Sequence, residues 1–206
     1  MPLKRRPTKA GVYHICVRSP TPELFFLDTE DRIHFLKTLA IVTKNTEWTC
    51  LGVCLMGTHY HLLVDAAQGA LPDTMQRINW RYAFDFNARH GHKGHHVGGK
   101  YLSIPVESEV QLVTCYRYIV LNPVRAGLVE RAEYWPWSSY AATIGECVGY
   151  EFVEASRILD YFSSSREVAI ERLRGFVETP WVSRYPFNSL EGVSDTWGAR
   201  SVGHWA

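Results

Sequence analysis

The sequence lacks any long hydrophobic run. Its apolar stretches, such as residues 24–27 and 62–64, fall far short of the roughly 18 residues that span a bilayer. Residues 1–9 are basic, but a strand-like pattern follows them rather than the apolar stretch of a secretory signal peptide. We therefore expect a cytoplasmic protein with no membrane partner.

Cysteine is scarce and a strong net charge is absent. The five cysteines are an odd number, so we interpret them as reduced thiols. The formal net charge is +1, yet the first 100 residues hold 13 Lys and Arg against 8 Asp and Glu. A basic half fits an anionic partner, and it fits a solvated surface equally well.

The order of the predicted elements indicates the fold class. Hydrophobic periodicity and capping residues predict four strands and three helices, namely strand 11–19, helix 29–44, strands 48–56 and 59–66, helix 72–90, strand 100–106 and helix 109–121. This order is typical of an α+β sandwich with an antiparallel sheet, of ferredoxin-like or RNA-recognition-like type. We predict one domain over residues 1–147, and a C-terminal helical region with an irregular tail over 148–206.

In two of the predicted helices, apolar residues at helical spacing form a stripe that marks the face expected to be buried. The first helix should bury Leu36, Leu39, Ala40 and Thr43. The second should begin at Pro72 and bury Leu71, Met75, Ile78, Tyr82 and Phe86. Its opposite face combines two arginines with two aromatic residues, Arg77, Arg81, Trp80 and Phe84. That face could bind unpaired bases, or it could dock the C-terminal helices.

His59 and His61 begin the third strand, on either side of Tyr60. Because side chains alternate across a strand, the two histidines share a face. Two imidazoles on a rigid element can bind one divalent ion, although such pairs more often pack or form hydrogen bonds.

The helix before Pro123 carries two tyrosines of different character. At about 100° per residue, Tyr116 falls at the centre of the apolar stripe and is predicted to be a core residue. Tyr118 lies about 160° away on a polar strip, and Asn122 follows it by one turn. The alternative interpretation is a solvent-facing tyrosine followed by a C-terminal helix cap.

Together these residues predict a metal site. His59, His61 and the carboxamide oxygen of Asn122 would bind the ion, with the phenol of Tyr118 beside it. An oxygen donor beside imidazoles suits Mg²⁺ or Mn²⁺ near a phosphate, so the predicted substrate is a phosphodiester. A phenol has a pKa of about 10 and is mostly protonated at neutral pH, and a metal-polarised phosphate lowers the demand on it.

Two runs carry a resemblance to a known family. They read MGTHYHLLV at 56–64 and YIVLNPVRAGLV at 118–129, and shorter stretches agree at 13–15, 75–79, 81–82 and 135–140. Over roughly residues 10–145 the chain resembles the single-tyrosine HUH transposases, and among them the REP-associated tyrosine transposases.

The resemblance implies an enzyme that cuts and rejoins single-stranded DNA at hairpin or REP-like palindromic elements. In the family, two motif histidines hold the ion, which corresponds to His59 and His61, and a helix tyrosine is the nucleophile, which corresponds to Tyr118. The residue four places later completes the metal site and corresponds to Asn122. Attack would join Tyr118 to a 5′ phosphate, and the stored bond energy would permit rejoining without ATP. Residues expected to contact DNA are Arg18, Arg77, Arg81, Lys93, Lys100 and Arg125.

The chain departs from the family pattern at three places. Gly57-Thr58 stands where Pro-Asn usually precedes the first histidine, and Arg18-Ser19-Pro20 stands where Arg-Gly-Asn is common. The stretch 94–100 reads GHHVGGK rather than GHLFQGR. These changes bear on DNA sequence preference and on full transposition more than on the chemistry, because the metal ligands and the nucleophile are retained.

Other interpretations remain open at this point. One is a domesticated DNA-binding protein that no longer cuts, and another is an RNA-recognition module, although the aromatic RNP1 pattern is missing. A second metal site could be built from His90, His92, His95 and His96, but they lie in a glycine-rich stretch without fixed spacing. Family relatives include monomers and homodimers, so the oligomeric state is not predicted.

Overall fold

The computed structural model describes residues 8–19, 25–91 and 101–179. In chain order the elements are β1 (Gly11–Arg18), α1 (Thr29–Thr43), β2 (Trp48–Leu55), β3 (His59–Ala66), α2 (Ala70–His90), β4 (Tyr101–Val106), α3 (Glu109–Val120), α4 (Asn122–Arg125), a 3-10 turn (Ala132–Tyr134), α5 (Tyr140–Thr143), α6 (Ser156–Asp160) and α7 (Arg166–Glu178). None of the helices in these ranges is long and apolar enough to cross a membrane.

The four strands form one antiparallel sheet in the order β2-β3-β1-β4. β1 and β3 are the central pair, α1 connects β1 to β2, and α2 connects β3 to β4. This arrangement is the ferredoxin-like one. It confirms the fold class predicted from the sequence.

Gly57 and Thr58 join β2 to β3, in the hairpin that the sequence predicts. The carbonyl of Thr58 accepts a hydrogen bond from the amide of Ser19 at 2.9 Å, and that of Gly57 accepts one from Phe25 at 2.8 Å. The loop that precedes His59 is therefore fixed to the segments on both sides of it.

The sheet separates two hydrophobic clusters. Ile15 and Leu62 belong to the cluster that packs with α1 and α2, on what we call the α2 face. Val12 and Leu63 point the other way and pack with α3, on what we call the α3 face. Every even-numbered residue of β1 and every odd-numbered residue of β3 consequently faces α3.

The C-terminal helices pack on the α3 face. The residues of α6 and α7 that join its cluster are Ile158, Leu159, Ala169, Leu173 and Val177. Every residue from Leu112 to Val120 is buried, so α3 is covered by the sheet on one side and by the C-terminal helices on another. The domain division at residue 148 stays a prediction, and residues 180–206 lie outside the described ranges.

The buried stripe of α1 differs from the prediction. Its buried residues are Asp31, Phe35, Thr38, Leu39 and Val42. Of the predicted positions only Leu39 is buried, and Leu36, Ala40 and Thr43 are half-buried. The helix is rotated toward Phe35 because that ring packs 4.5 Å from the ring of Tyr60, centroid to centroid, and buries more apolar area than an alanine or a threonine.

The predicted apolar stripe of α2 is confirmed, but the helix begins earlier than predicted. The five predicted core residues are all buried. The helix begins at Ala70, two residues before Pro72, which the prediction placed first. Pro72 is still within the first turn, where its missing amide removes no intrahelical hydrogen bond.

A bulge in β2 brings α3 close to the sheet. The register between β2 and β3 shifts between Cys50 and Gly52. A Cβ atom on Gly52 would lie 3.1 Å from two ring carbons of Tyr116. Tyr116 is fully buried, and its hydroxyl donates a hydrogen bond to Oγ1 of Thr143 at 2.9 Å. Tyr116 is thus a core residue, as predicted.

We expect Gly52→Ala to lower the free energy of unfolding by about 1–3 kcal/mol, because the added methyl group overpacks the contact with Tyr116. Urea unfolding followed by circular dichroism measures this change. Gly175→Ala is the matched control, since a Cβ there meets no atom within 4 Å, and it should be neutral or stabilising by up to about 1 kcal/mol. Equal midpoints for Gly52→Ala and wild type would contradict the tight packing.

Candidate active site

His59 and His61 lie together on the α3 face of β3. Their ring centroids are 5.0 Å apart, and the rings meet at 87°. In the antiparallel pairing with β1, Arg18 stands opposite His59 and Cys16 stands opposite His61. The β-sheet therefore brings the predicted histidine pair beside one of the predicted DNA-binding arginines.

A third histidine, His14 on β1, completes the cluster. Its Nε2 atom lies 3.0 Å from Nδ1 of His61, the ring centroids are 5.1 Å apart, and each residue is 1% exposed. The sequence analysis did not assign His14 to the site. Its even position in β1 could have placed it on the same strand face as Arg18, but the pairing of β1 with β3 had first to be known.

Burial keeps the two inner imidazoles neutral at neutral pH. It lowers the pKa of His14 to about 4. Burial also lowers the pKa of His61 well below its usual value, and the charges of His59, His14, Arg18 and Arg125 add to that effect. Neutral imidazoles retain a lone pair, which is the form that binds a metal.

The donor atoms fit a bound cation. Nε2 of His61 is buried and meets no hydrogen-bond partner among the described residues. Nδ1 of His59 lies 3.2 Å from Oγ1 of Thr58. A buried nitrogen without a partner is unusual in a folded protein, and a metal ligand is one of the roles that explains it.

Tyr118 stands directly over the histidines. Its ring centroid is 5.8 Å from those of both His14 and His61, and both contacts are edge-on. The guanidinium carbon of Arg125 lies 5.0 Å from the centre of the Tyr118 ring. An arginine over an aromatic face is an attractive arrangement, and it restricts the ring.

The environment of Tyr118 differs from the alternative of a solvent-facing tyrosine. Tyr118 is 7% exposed, as is Thr114 on the same side of α3. Tyr118 therefore faces the histidine cluster rather than solvent. Asn122 begins α4 one turn after Tyr118 and is half-buried, and its part as a metal ligand stays a prediction.

Two of the predicted DNA-binding residues, Arg77 and Arg81, lie away from this cluster. Arg77 and Arg81 are exposed on the outer surface of α2, which covers the opposite face of the sheet. Lys93 and Lys100 fall outside the described residues. The structure therefore brings Arg18 and Arg125, but not Arg77 and Arg81, beside the histidine cluster.

Two aromatic residues accompany the exposed arginines of α2. Trp80 is 70% exposed and Phe84 is 64% exposed, and their rings stack with centroids 6.0 Å apart at 23°. Helices α6 and α7 pack on the other face of the sheet, so they do not dock here. We call the surface formed by Arg77, Trp80, Arg81 and Phe84 the α2 outer surface.

A second group of possible metal ligands joins α1 to α2. Ligand atoms of Asp28, Asp31 and His90 lie within 4.8 Å of one another. Arg89 occupies the group, because it pairs with Asp31 and its Nη2 atom lies 2.9 Å from Oδ2 of Asp28. Oδ1 of Asp28 also accepts the amide of Asp31 at 2.8 Å as a helix cap. We interpret the group as a link between helices. His92, His95 and His96 lie outside the described residues.

Comparisons with known proteins identify the fold and the family of the chain. A solved structure of a REP-associated tyrosine transposase bound to a REP hairpin superposes with a TM-score of 0.57 and 15% sequence identity, over 75% of this chain and 97% of that one. At this identity the match shows a shared fold. A search of curated proteins finds no match. The family model described as "Transposase IS200 like" matches residues 9–122, more than half of the chain and the stretch that contains His14, His59, His61, Tyr118 and Asn122. The resemblance noted in the sequence is thereby confirmed, and the chain belongs to the IS200-like transposase family.

Proposed function

We propose that the protein is a metal-dependent transesterase that cleaves and rejoins single-stranded DNA through Tyr118. The observation that carries the proposal is the placement of the Tyr118 ring 5.8 Å from the rings of both His14 and His61. A phenol beside neutral imidazoles, in a family of transposases, suits nucleophilic attack on a phosphodiester.

His59 and His61 would hold Mg²⁺ or Mn²⁺, with the carboxamide oxygen of Asn122 as a third ligand. The partnerless Nε2 of His61 supports this assignment, as does the neutral state of that ring. A hard divalent ion, when bound, would polarise a phosphate oxygen and offset the negative charge that develops in the transition state.

The proposed reaction balances as a transesterification. The Tyr118 oxygen forms a bond to phosphorus, the bond from phosphorus to the 3′ oxygen breaks, and the phenol proton is given up as the 3′ oxygen gains one. The products are a 5′ phosphotyrosine and a free 3′ hydroxyl. Attack by a 3′ hydroxyl on the phosphotyrosine reverses these steps, so rejoining requires no ATP.

Two arginines would place the phosphate near Tyr118. Arg18 stands opposite His59 at the end of β1, and Arg125 lies over the Tyr118 ring. Guanidinium groups pair with phosphate oxygens in a bidentate manner, through charge-assisted hydrogen bonds. We propose that both arginines contact the scissile phosphate or its neighbours.

We propose a DNA hairpin with an unpaired strand as the substrate. The superposed transposase is bound to a REP hairpin. In this chain the α2 outer surface supplies two exposed aromatic rings and two arginines, which suit stacking of unpaired bases and contact with their phosphates. Because this surface lies across the sheet from Tyr118, we assign it to binding rather than to cleavage.

Tyr118→Phe should abolish the covalent adduct between protein and DNA while sparing DNA binding, because only the attacking oxygen is removed. A labelled hairpin oligonucleotide incubated with Mn²⁺ and resolved on a denaturing gel detects the adduct. Tyr116→Phe is the matched control. It loses one buried hydrogen bond, worth about 1 kcal/mol of stability, but should form adduct at the wild-type rate.

Adduct formation by Tyr118→Phe at the wild-type level would reject the nucleophile assignment. Absence of adduct from the wild-type protein, with hairpin binding retained, would instead favour the non-cleaving DNA-binding protein.

His61→Ala should abolish cleavage at every Mn²⁺ or Mg²⁺ concentration, because the ion loses a ligand. The measurement is the adduct yield across a metal titration and in excess chelator. His90→Ala removes a histidine from the group joined to Asp31, and it should retain metal-dependent cleavage. Cleavage by His61→Ala in chelator at the wild-type rate would contradict the proposed metal site.

Trp80→Ala should weaken binding of single-stranded DNA by about 1–3 kcal/mol, which is roughly 5- to 150-fold in Kd, because one stacked base loses its platform. Fluorescence anisotropy with a labelled oligonucleotide measures the change. Tyr134→Ala, which removes another exposed ring (61%) outside α2, serves as the control and should bind normally. Equal affinity for Trp80→Ala and wild type would exclude the α2 outer surface from DNA binding.

A further inference from the structure

The contact between His14 and His61 restricts which ring nitrogens of the two imidazoles can carry a proton. A neutral imidazole has one N–H donor and one lone-pair acceptor, so two rings in contact through nitrogen must divide those roles. Nε2 of His14 lies 3.0 Å from Nδ1 of His61. One of these two atoms therefore carries the hydrogen, and the other accepts it.

The two possible assignments have different consequences for the far nitrogen of His61. If Nδ1 of His61 donates to His14, then Nε2 of His61 keeps its lone pair. If Nε2 of His14 donates instead, the proton of His61 sits on Nε2. That atom is buried and has no hydrogen-bond partner among residues 8–19, 25–91 and 101–179. The first assignment in turn places the proton of His14 on its own Nδ1, which is also buried and makes no hydrogen bond within the described ranges, so burial alone does not separate the two assignments. A cation at Nε2 of His61 does separate them, because it needs the lone pair that only the first assignment leaves there.

We propose that His14 is a positioning residue that fixes His61 in the form with its proton on Nδ1, and so presents the Nε2 lone pair to the metal ion. The inference rests on the proposed metal-dependent function. Metal-binding histidines commonly donate their second ring nitrogen to a protein acceptor, and here a neutral imidazole takes the place of the more usual carboxylate or carbonyl.

The geometry distinguishes this role from that of a third metal ligand. His14 contacts the Nδ1 side of the His61 ring, and the two ring nitrogens point in different directions. An ion at Nε2 of His61 would therefore lie on the far side of that ring from the contact. The same pattern holds for His59, whose Nδ1 atom is within 3.2 Å of Oγ1 of Thr58.

Stacking against His14 also fixes the orientation of the His61 ring. The His14 and His61 rings are inclined by 29° with centroids 5.1 Å apart, and each is 1% exposed. In the register, His14 pairs with Leu63, which places it diagonally across from His61 on the same face. Removing the imidazole of His14 would thus remove both the acceptor that selects the tautomer of His61 and the ring contact that fixes its tilt.

The first test uses the wild-type protein in saturating Mg²⁺, which is diamagnetic. Nitrogen-15 NMR of the histidine side chains reports which ring nitrogen carries the proton, and the signal of His61 is assigned by its loss in His61→Ala. We expect the proton on Nδ1 of His61 at neutral pH. A proton on Nε2 of His61 would overturn the proposal, whatever the variants show.

The second test measures Mn²⁺ affinity by calorimetry without DNA. His14→Phe keeps a ring but removes the acceptor, and it should weaken Mn²⁺ binding by about 10- to 100-fold. His14→Gln can place its amide oxygen near the position of the lost Nε2, so it should restore most of the affinity. His34→Phe, a substitution on α1 across the sheet, is the control and should bind as wild type.

The outcomes separate this inference from the function on which it rests. Wild-type affinity in His14→Phe, or an equal loss in His14→Phe and His14→Gln, would overturn the positioning role and leave the proposed function standing. No Mn²⁺ binding by the wild-type protein would reject the proposed metal site, and the role of His14 toward the ion with it.

Discussion

Antiparallel pairing of β1 with β3 determines where the chemistry of this protein can take place. Alternation along β3 sends Tyr60 into the aromatic cluster of the α2 face and sends His59 and His61 toward α3. A slip of one residue would exchange these faces and bury the imidazoles under α1 and α2, far from any nucleophile. The anchored hairpin of Gly57 and Thr58 opposes such a slip, because their carbonyls are held by amides from outside the hairpin.

The position of α3 over the histidines also depends on contacts with the C-terminal helices. Arg117, the neighbour of Tyr118, is buried and donates hydrogen bonds to the carbonyls of Val177 and Thr179 at the end of α7. Its guanidinium carbon also lies 5.0 Å from the centre of the Phe176 ring. Two adjacent residues of α3 thus have different roles. Arg117 forms hydrogen bonds with the end of α7, whereas Tyr118 faces the histidines. The C-terminal helices thus support the helix that carries Tyr118.

The sequence predicts the parts of the fold that depend on local patterns. The hairpin, the stripe of α2 and the core position of Tyr116 follow from alternation, from helical period and from turn residues. What it misses depends on tertiary contacts. The stripe of α1 is rotated because Phe35 packs on Tyr60, a contact between distant segments. A projection of α3 alone separates Tyr118 from the apolar stripe, but it cannot show that the sheet and the C-terminal helices cover α3 and bury Tyr118 as well.

The site shows the same division, and it explains how the chain tolerates its departures from the family pattern. Spacing alone locates His59, His61 and Tyr118, whereas His14 becomes visible only when β1 is paired with β3. Thr58 occupies the place of the usual asparagine, yet its hydroxyl still reaches Nδ1 of His59. A hydroxyl can donate or accept, so Thr58 can hold the His59 ring whichever of its nitrogens carries the proton. The residue before the first histidine can therefore change its identity while the ring keeps a partner. Each imidazole of the pair thus has a polar neighbour at its Nδ1 atom, namely the Thr58 hydroxyl from the loop for His59 and Nε2 of His14 from β1 for His61.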